Sequence, residues 1–103
     1  MFIRFLLLFI FSLPSISLTI IDVRTQAEWD SGHLEGAINI EWQDILQLSS
    51  EISKDEDIYL YCRSGNRSGK ATKILADAGY INAINVGSIK QASEFLNKEI
   101  IKN

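Results

Sequence analysis

"YLYCRSGNRSGKATKILADAG", Tyr59 to Gly79, carries the only cysteine of the chain at the point where one sequence pattern gives way to another. Ile58 to Cys62 is short, apolar and aromatic, and it predicts a buried strand. Arg63 to Ser68 is small, polar and twice cationic. Ala71, Ile74, Leu75 and Ala78 then recur at i, i+3, i+4 and i+7, the spacing of one apolar helix face. The helix is expected to start near Arg67 or Ser68, and Gly79 to end it as the residue just past the last turn. The thiol thus lies at the joint between a strand and a helix.

The same alternation continues on both sides. "LTIIDV", Leu18 to Val23, is β-branched and short, a buried-strand pattern. Thr25 and Glu28 stand at capping-box spacing and open a short helix that runs through Trp29 to Ser31 and Gly32. Gly36 marks a turn before a strand over Ala37 to Ile40. From Glu41 onward, Trp42, Ile45, Leu46 and Ser49 fall on one helical face, and Ser53 to Asp57 reads as a solvated loop. Ile81 to Val86 is a further strand, after which Gly87 turns into a helix carrying Ile89, Ala92, Phe95 and Leu96. The order β-α-β-α-β-α-β-α predicts an α/β domain with a central parallel sheet flanked by helices on both faces. In open parallel sheets, ligands sit beyond the carboxyl ends of the strands. Cys62 lies at such an end.

Residues 1–17, "MFIRFLLLFIFSLPSIS", begin with one positive charge and run apolar from Phe5 to Leu13. Pro14 breaks the run, and Ser15 and Ser17 offer small residues at the −3 and −1 cleavage positions of a secretory signal peptide. The apolar run is short beside the roughly 20 residues of a bilayer-spanning helix. The expectation is a cleaved signal over 1–17, a single domain over 18–103, and no stable membrane association after cleavage. Removing Arg4 leaves nine basic and 13 acidic residues, a net charge near −4. That balance argues against nucleic acid or anionic lipid as a general partner. A local concentration of cations without acids does occur at Arg63, Arg67 and Lys70.

A thiol reacts as its thiolate, and an ordinary cysteine has a pKa near 8.5. About 3% is then ionised at neutral pH, and lowering the pKa to about 7 takes about 2 kcal/mol of preference for the anion. A helix N-terminus supplies about 0.3–1 kcal/mol. Backbone amides curling round the sulfur and the charges of Arg63 and Arg67 must supply the rest. Ser64, Gly65 and Asn66 suit such a curl, because they let the backbone turn sharply. The thiol is expected to be charged and within reach of solvent.

This arrangement resembles the active-site loop of the rhodanese family of sulfurtransferases. "IIDVRTQAEWDSGHLEGAINI" is similar to the family's Asp-Val-Arg strand end, its Glu-Trp helix and its Gly-His-x-x-Gly-Ala-Ile-Asn element. "YLYCRSGNRSGKATKILADAGYINAINVGSIKQ" is similar to its strand, Cys loop, following helix and Gly-rich segment. Together these cover most of residues 20–91. With the export signal and short length, the chain resembles the single-domain periplasmic, phage-shock type. The resemblance implies a three-layer rhodanese-like fold. It implies Cys62 as nucleophile and persulfide carrier, with Arg63, Ser64, Gly65, Asn66 and Arg67 binding a small sulfur anion such as thiosulfate. It also implies a thiol or cyanide acceptor, no cofactor, and a monomer in the periplasm. Ser88 replaces a second glycine common in the family, and the usual following Trp is missing.

The remaining readings are structural. Asp22 and Arg24, two apart at a strand end, brace a loop by an ion pair. Ser68 caps the helix, and Lys70 adds positive field. The family match puts His33 in a structural turn, and Trp29 and Trp42 fill the core. One Cys and one His cannot supply a zinc sphere. Cysteine-dependent phosphatases place an Arg after five intervening residues. Ser68 stands there in this chain, and Arg67 comes one earlier. A redox protein would need a resolving cysteine. The competing function is a rhodanese module that carries or senses sulfur without turnover.

Overall fold

The computed structural model describes residues 18–102 of the 103-residue chain, so the signal peptide read in 1–17 lies outside the described residues. Strand β1 (Leu18–Asp22) leads into helix α1 (Gln26–Asp30), the two-residue strand β2 (His33–Leu34) and strand β3 (Ala37–Asn39). A 3-10 turn (Trp42–Asp44) runs into helix α2 (Ile45–Ser49). Strand β4 (Asp57–Cys62), helix α3 (Asn66–Asp77), strand β5 (Ala83–Ser88), helix α4 (Ile89–Leu96) and strand β6 (Ile100–Ile101) complete the order. The main sheet runs β3-β1-β4-β5 with every pair parallel.

The sheet is covered on both faces because side chains alternate along each strand. Ile58, Leu60 and Cys62 of β4 join Ile21, Val23 and Ile45 in one core, with Ala71 and Leu75 of α3. Ile20 and Tyr61 point the other way and meet Leu34 and Ala92, the latter from α4. This is the three-layer α/β arrangement that the alternation of patterns predicts.

Local signals in the sequence account for the helix ends. Thr25 caps α1 in a capping box with Glu28, and Ser88 caps α4 in another with Gln91. Ser88, which stands where the sequence resemblance has a second glycine, is the N-cap of α4. Gly79 follows the end of α3 with φ +98°, as expected for a C′ glycine.

Three expectations are corrected. The helix expected from Glu41 is a 3-10 turn and a five-residue helix, because Trp42 N–H bonds the Val23 carbonyl at 3.2 Å and ties its start to the end of β1. Ile45 is buried, but Leu46 is 50% exposed, so the apolar stripe is not one buried face. Strand β5 begins at Ala83 rather than Ile81, whose backbone instead bonds the Lys54 carbonyl. His33 lies in strand β2, which pairs antiparallel with β6. Two-residue strands are too short to leave a periodicity in the sequence. The Tyr61 hydroxyl, buried under α4, accepts the Leu34 N–H at 3.0 Å and fastens this small sheet to the large one.

One irregularity shapes the site. Leu60 pairs with Asn85, but Cys62 pairs with Ser88, so β5 holds one more residue than β4 across this step. The bulge falls at Val86 and Gly87, and Gly87 takes φ +88°. It turns β5 beside the loop that follows Cys62.

Candidate active site

Cys62 ends β4, and the chain turns at once into α3. The turn works because Gly65, with φ +96°, takes a backbone conformation that side-chain-bearing residues avoid. Gly65 is the N-cap of α3, so the helix starts at Asn66. Ser68 is therefore not the cap that the sequence suggested but the third residue of the helix, and it is fully buried.

Three donors converge on the sulfur. Gly65 N–H lies 3.0 Å from Cys62 Sγ, Ser68 N–H lies 3.4 Å away, and the Ser68 hydroxyl lies 3.3 Å away. Burial pushes the thiol's pKa up. The Ser68 hydroxyl, with the amides of Ser68, Ser64 and Gly65, outweighs burial, and the net shift is downward. The expected curl of amides is present. The expected solvent contact is not: Cys62 is 1% exposed and packs in the core with Ala71 and Leu75. The donors that stabilise the anion also close over it.

Arg67 does not stand free to receive an anion. Its guanidinium meets the Glu28 carboxylate of α1 in a two-pronged pair, Nη1 to Oε1 at 2.7 Å and Nη2 to Oε2 at 2.9 Å. The Arg67 bonds hold the Glu28 carboxyl at about 2, well below the usual carboxylate range, with help from Thr25. Glu28 also accepts the Thr25 N–H at 3.0 Å, so one carboxylate serves the capping box and the clasp together. Arg63 is exposed, and its side chain makes no hydrogen bond or ion pair among the described residues. Ser64 and Asn66 are also exposed, on the rim. Lys70 sits over the Trp42 ring at 5.0 Å, so Trp42 borders the helix start rather than lying deep in the core.

Asp22 and Arg24 brace a different loop from the one around Cys62. Arg24 Nη2 bonds Asp22 Oδ2 at 2.7 Å and the Gly32 carbonyl at 2.6 Å, with both side chains buried. The pair secures the turn between α1 and β2. His33 stacks on Trp29, ring centroids 3.5 Å apart, and its Nδ1 lies 3.2 Å from the Trp29 carbonyl.

Two residues that the sequence did not single out as part of the site belong to it: Glu28, read as a capping residue, and Asn85. Asn85 Nδ2 donates to the Gly65 carbonyl at 3.0 Å. Its Oδ1 accepts from the Ser68 hydroxyl at 2.7 Å and from Gly87 N–H at 2.9 Å. No local pattern marks Asn85, because the register shift of β5 that brings it beside the loop is set by tertiary pairing.

The family described as Rhodanese-like domain matches residues 12–94. Among curated proteins, the chain is 33% identical over 84 residues to thiosulfate sulfurtransferase PspE of Escherichia coli K12, covering 79% of this chain and 81% of that protein. It is 36% identical over 87 residues to adenylyltransferase and sulfurtransferase UBA4 of Lodderomyces elongisporus, covering 74% of this chain but only 19% of that longer protein. Among solved structures, an E. coli rhodanese with anions superposes with a TM-score of 0.75 at 28% identity, covering 84% of this chain and all of that one.

Proposed function

Because the chain belongs to the rhodanese-like family, we propose that it moves a sulfane sulfur from thiosulfate, through a persulfide on Cys62, to cyanide or a thiol. The observation that carries this reading is the convergence of the Gly65 and Ser68 amides and the Ser68 hydroxyl on a sulfur whose ionisation is shifted down. A thiolate held this way is the nucleophile that ping-pong transfer needs. The name of the E. coli relative, a thiosulfate sulfurtransferase, supports thiosulfate as donor.

In the first step the Cys62 thiolate attacks the outer sulfur of thiosulfate. A new S–S bond forms, the S–S bond of thiosulfate breaks, and its electron pair leaves on sulfite. The product is a Cys62 persulfide anion. In the second step, cyanide or a thiolate attacks the outer sulfur, and Cys62 departs again as thiolate. Arg63, exposed on the rim, attracts the anionic donor, and Arg67 joins it when Glu28 yields. The exposed Ser64 and Asn66 frame the approach. The buried sulfur is reached by a local opening of the Ser64–Gly65 turn.

Residues 1–17 direct export, and the mature domain works as a periplasmic monomer. Among the described residues, no helix is long and apolar enough to cross a membrane.

The experiment is incubation of the purified domain with thiosulfate and cyanide. Thiocyanate that forms with the native protein and not with Cys62→Ser supports the reading, and equal inertness overturns it. The burial of Cys62 and the pairing of Arg67 favour one alternative, a module that carries a sulfur already loaded elsewhere. Such a module would accept persulfide sulfur from a small thiol persulfide but give no thiocyanate from thiosulfate.

A further inference from the structure

We propose that Asn85 is a positioning residue that gives the Ser68 hydroxyl a second acceptor, so that this hydroxyl turns towards Cys62 only when the sulfur carries negative charge. The inference rests on the reading of Cys62 as the reacting thiol.

A serine hydroxyl has one proton to donate. Two acceptors lie within its reach, Cys62 Sγ at 3.3 Å and Asn85 Oδ1 at 2.7 Å. The Asn85 amide is fixed in the orientation this requires. Its Nδ2 meets the Gly65 carbonyl, and its Oδ1 faces Gly87 N–H. A flipped amide would set oxygen against oxygen and donor against donor. Asn85 therefore presents an acceptor to Ser68 in every state of the thiol.

The partners then follow the charge. With Cys62 as neutral thiol, its S–H donates to Ser68 Oγ and the Ser68 O–H donates to Asn85. On ionisation the thiol proton leaves to solvent, and the Ser68 O–H turns to the sulfur. Asn85 Oδ1 keeps its bond from Gly87 N–H, so no buried acceptor is left without a partner. In the persulfide the negative charge resides on the outer sulfur, and the hydroxyl turns back to Asn85. When an acceptor removes that outer sulfur, charge returns to Cys62 Sγ and the hydroxyl meets it again. The hydroxyl thus assists Cys62 as a leaving group.

Charged groups on the surrounding elements do not provide this switch. Arg67 of α3 couples to the thiol but is paired with Glu28 of α1. Asp22, the last residue of β1, and Arg24, just beyond it, are paired with each other. Lys70 lies over Trp42, and Arg63 is exposed on the loop. The β5 groups within bonding reach of Ser68 are uncharged.

The test is the pH dependence of Cys62 alkylation, with no sulfur donor present. It is measured for Asn85→Leu and Asn85→Asp, each with and without Ser68→Ala. Removing the Ser68 donor raises the apparent pKa by about one unit, a tenfold slower reaction near neutrality. Asn85→Leu deprives the neutral arrangement of its acceptor. Relative to its effect alongside Ser68→Ala, it lowers the pKa by about half a unit. Asn85→Asp strengthens the competing acceptor and shifts the pKa the other way by a similar amount. Damage to the loop, or through-space charge, acts equally with and without the hydroxyl and cancels in this comparison. Opposite couplings for the two variants establish the switch. Additive effects, or couplings of the same sign, overturn it. Thiocyanate formation is assayed separately, so an inert native protein would refute the sulfur-transfer reading and leave the alkylation result standing on its own.

Discussion

The Glu28 carboxylate of α1 grips the Arg67 guanidinium of α3 across 39 residues of sequence, with both nitrogen–oxygen distances below 3 Å. A cation expected to receive a substrate anion already holds one. The carboxylate both orients Arg67 and masks its charge.

Glu28→Gln is expected to lower the KM for thiosulfate several-fold and leave kcat nearly unchanged. Glutamine keeps an oxygen for the Thr25 capping box but gives up the charge that neutralises Arg67. Steady-state kinetics at low ionic strength measure this. A rise in KM would mean that Glu28 serves chiefly to place Arg67.

Arg67→Ala is expected to raise the KM for thiosulfate only a few-fold in the native protein but about tenfold in the Glu28→Gln protein, since a desolvated bidentate contact is worth more than a masked one. A sulfur donor that carries no charge should show neither effect. Equal changes for both donors would remove Arg67 from anion binding.

The clasp also predicts an acid dependence of stability. The Glu28 carboxyl sits at about 2 when folded, below its ordinary 4.5. Its contribution is therefore complete above that ordinary value and is lost as pH falls through the folded one. Both side chains are 28% exposed, so the contribution is about 1 kcal/mol or less. Urea midpoints of the native and Glu28→Gln proteins should differ at about pH 6 and converge near pH 2. A gap that persists in acid would contradict the assignment.

Gly65→Ala is expected to cost about 1–2 kcal/mol of stability and to raise the Cys62 pKa. The backbone there has φ +96°, and an added Cβ would lie 3.4 Å from Gly87 Cα, in the bulge of β5. Relaxing that strain draws Gly65 N–H away from the sulfur. Chemical denaturation and alkylation kinetics test the two effects, and an unchanged thiol would show that the Gly65 amide is dispensable.

Much of this was legible before the structure. The helix after the cysteine, its Gly79 stop and the Thr25 capping box each rest on signals contained within a few residues, and the parallel order follows from the alternation of such elements along the chain. The converging amides followed from Ser64, Gly65 and Asn66 as turn formers. The polar partners across the site were not legible, because they are set by tertiary placement. Glu28 had a sufficient local explanation in its capping box, which hid its distant partner. Asn85 reaches Ser68 17 residues away, through a bulge that no local pattern announces. The burial of Cys62 was missed for a related reason. A polar loop sequence suggests an open surface, but its amides fold inward onto the sulfur. The pairing of β2 with β6 rests on two residues a side, too few to show a period.

The most direct measurement is the intact mass of the protein after exposure to thiosulfate, followed by peptide mapping. The account predicts a gain of one sulfur atom on Cys62, discharged by cyanide and absent in Cys62→Ser. A native protein that binds no sulfur, or carries it on another residue, would contradict it.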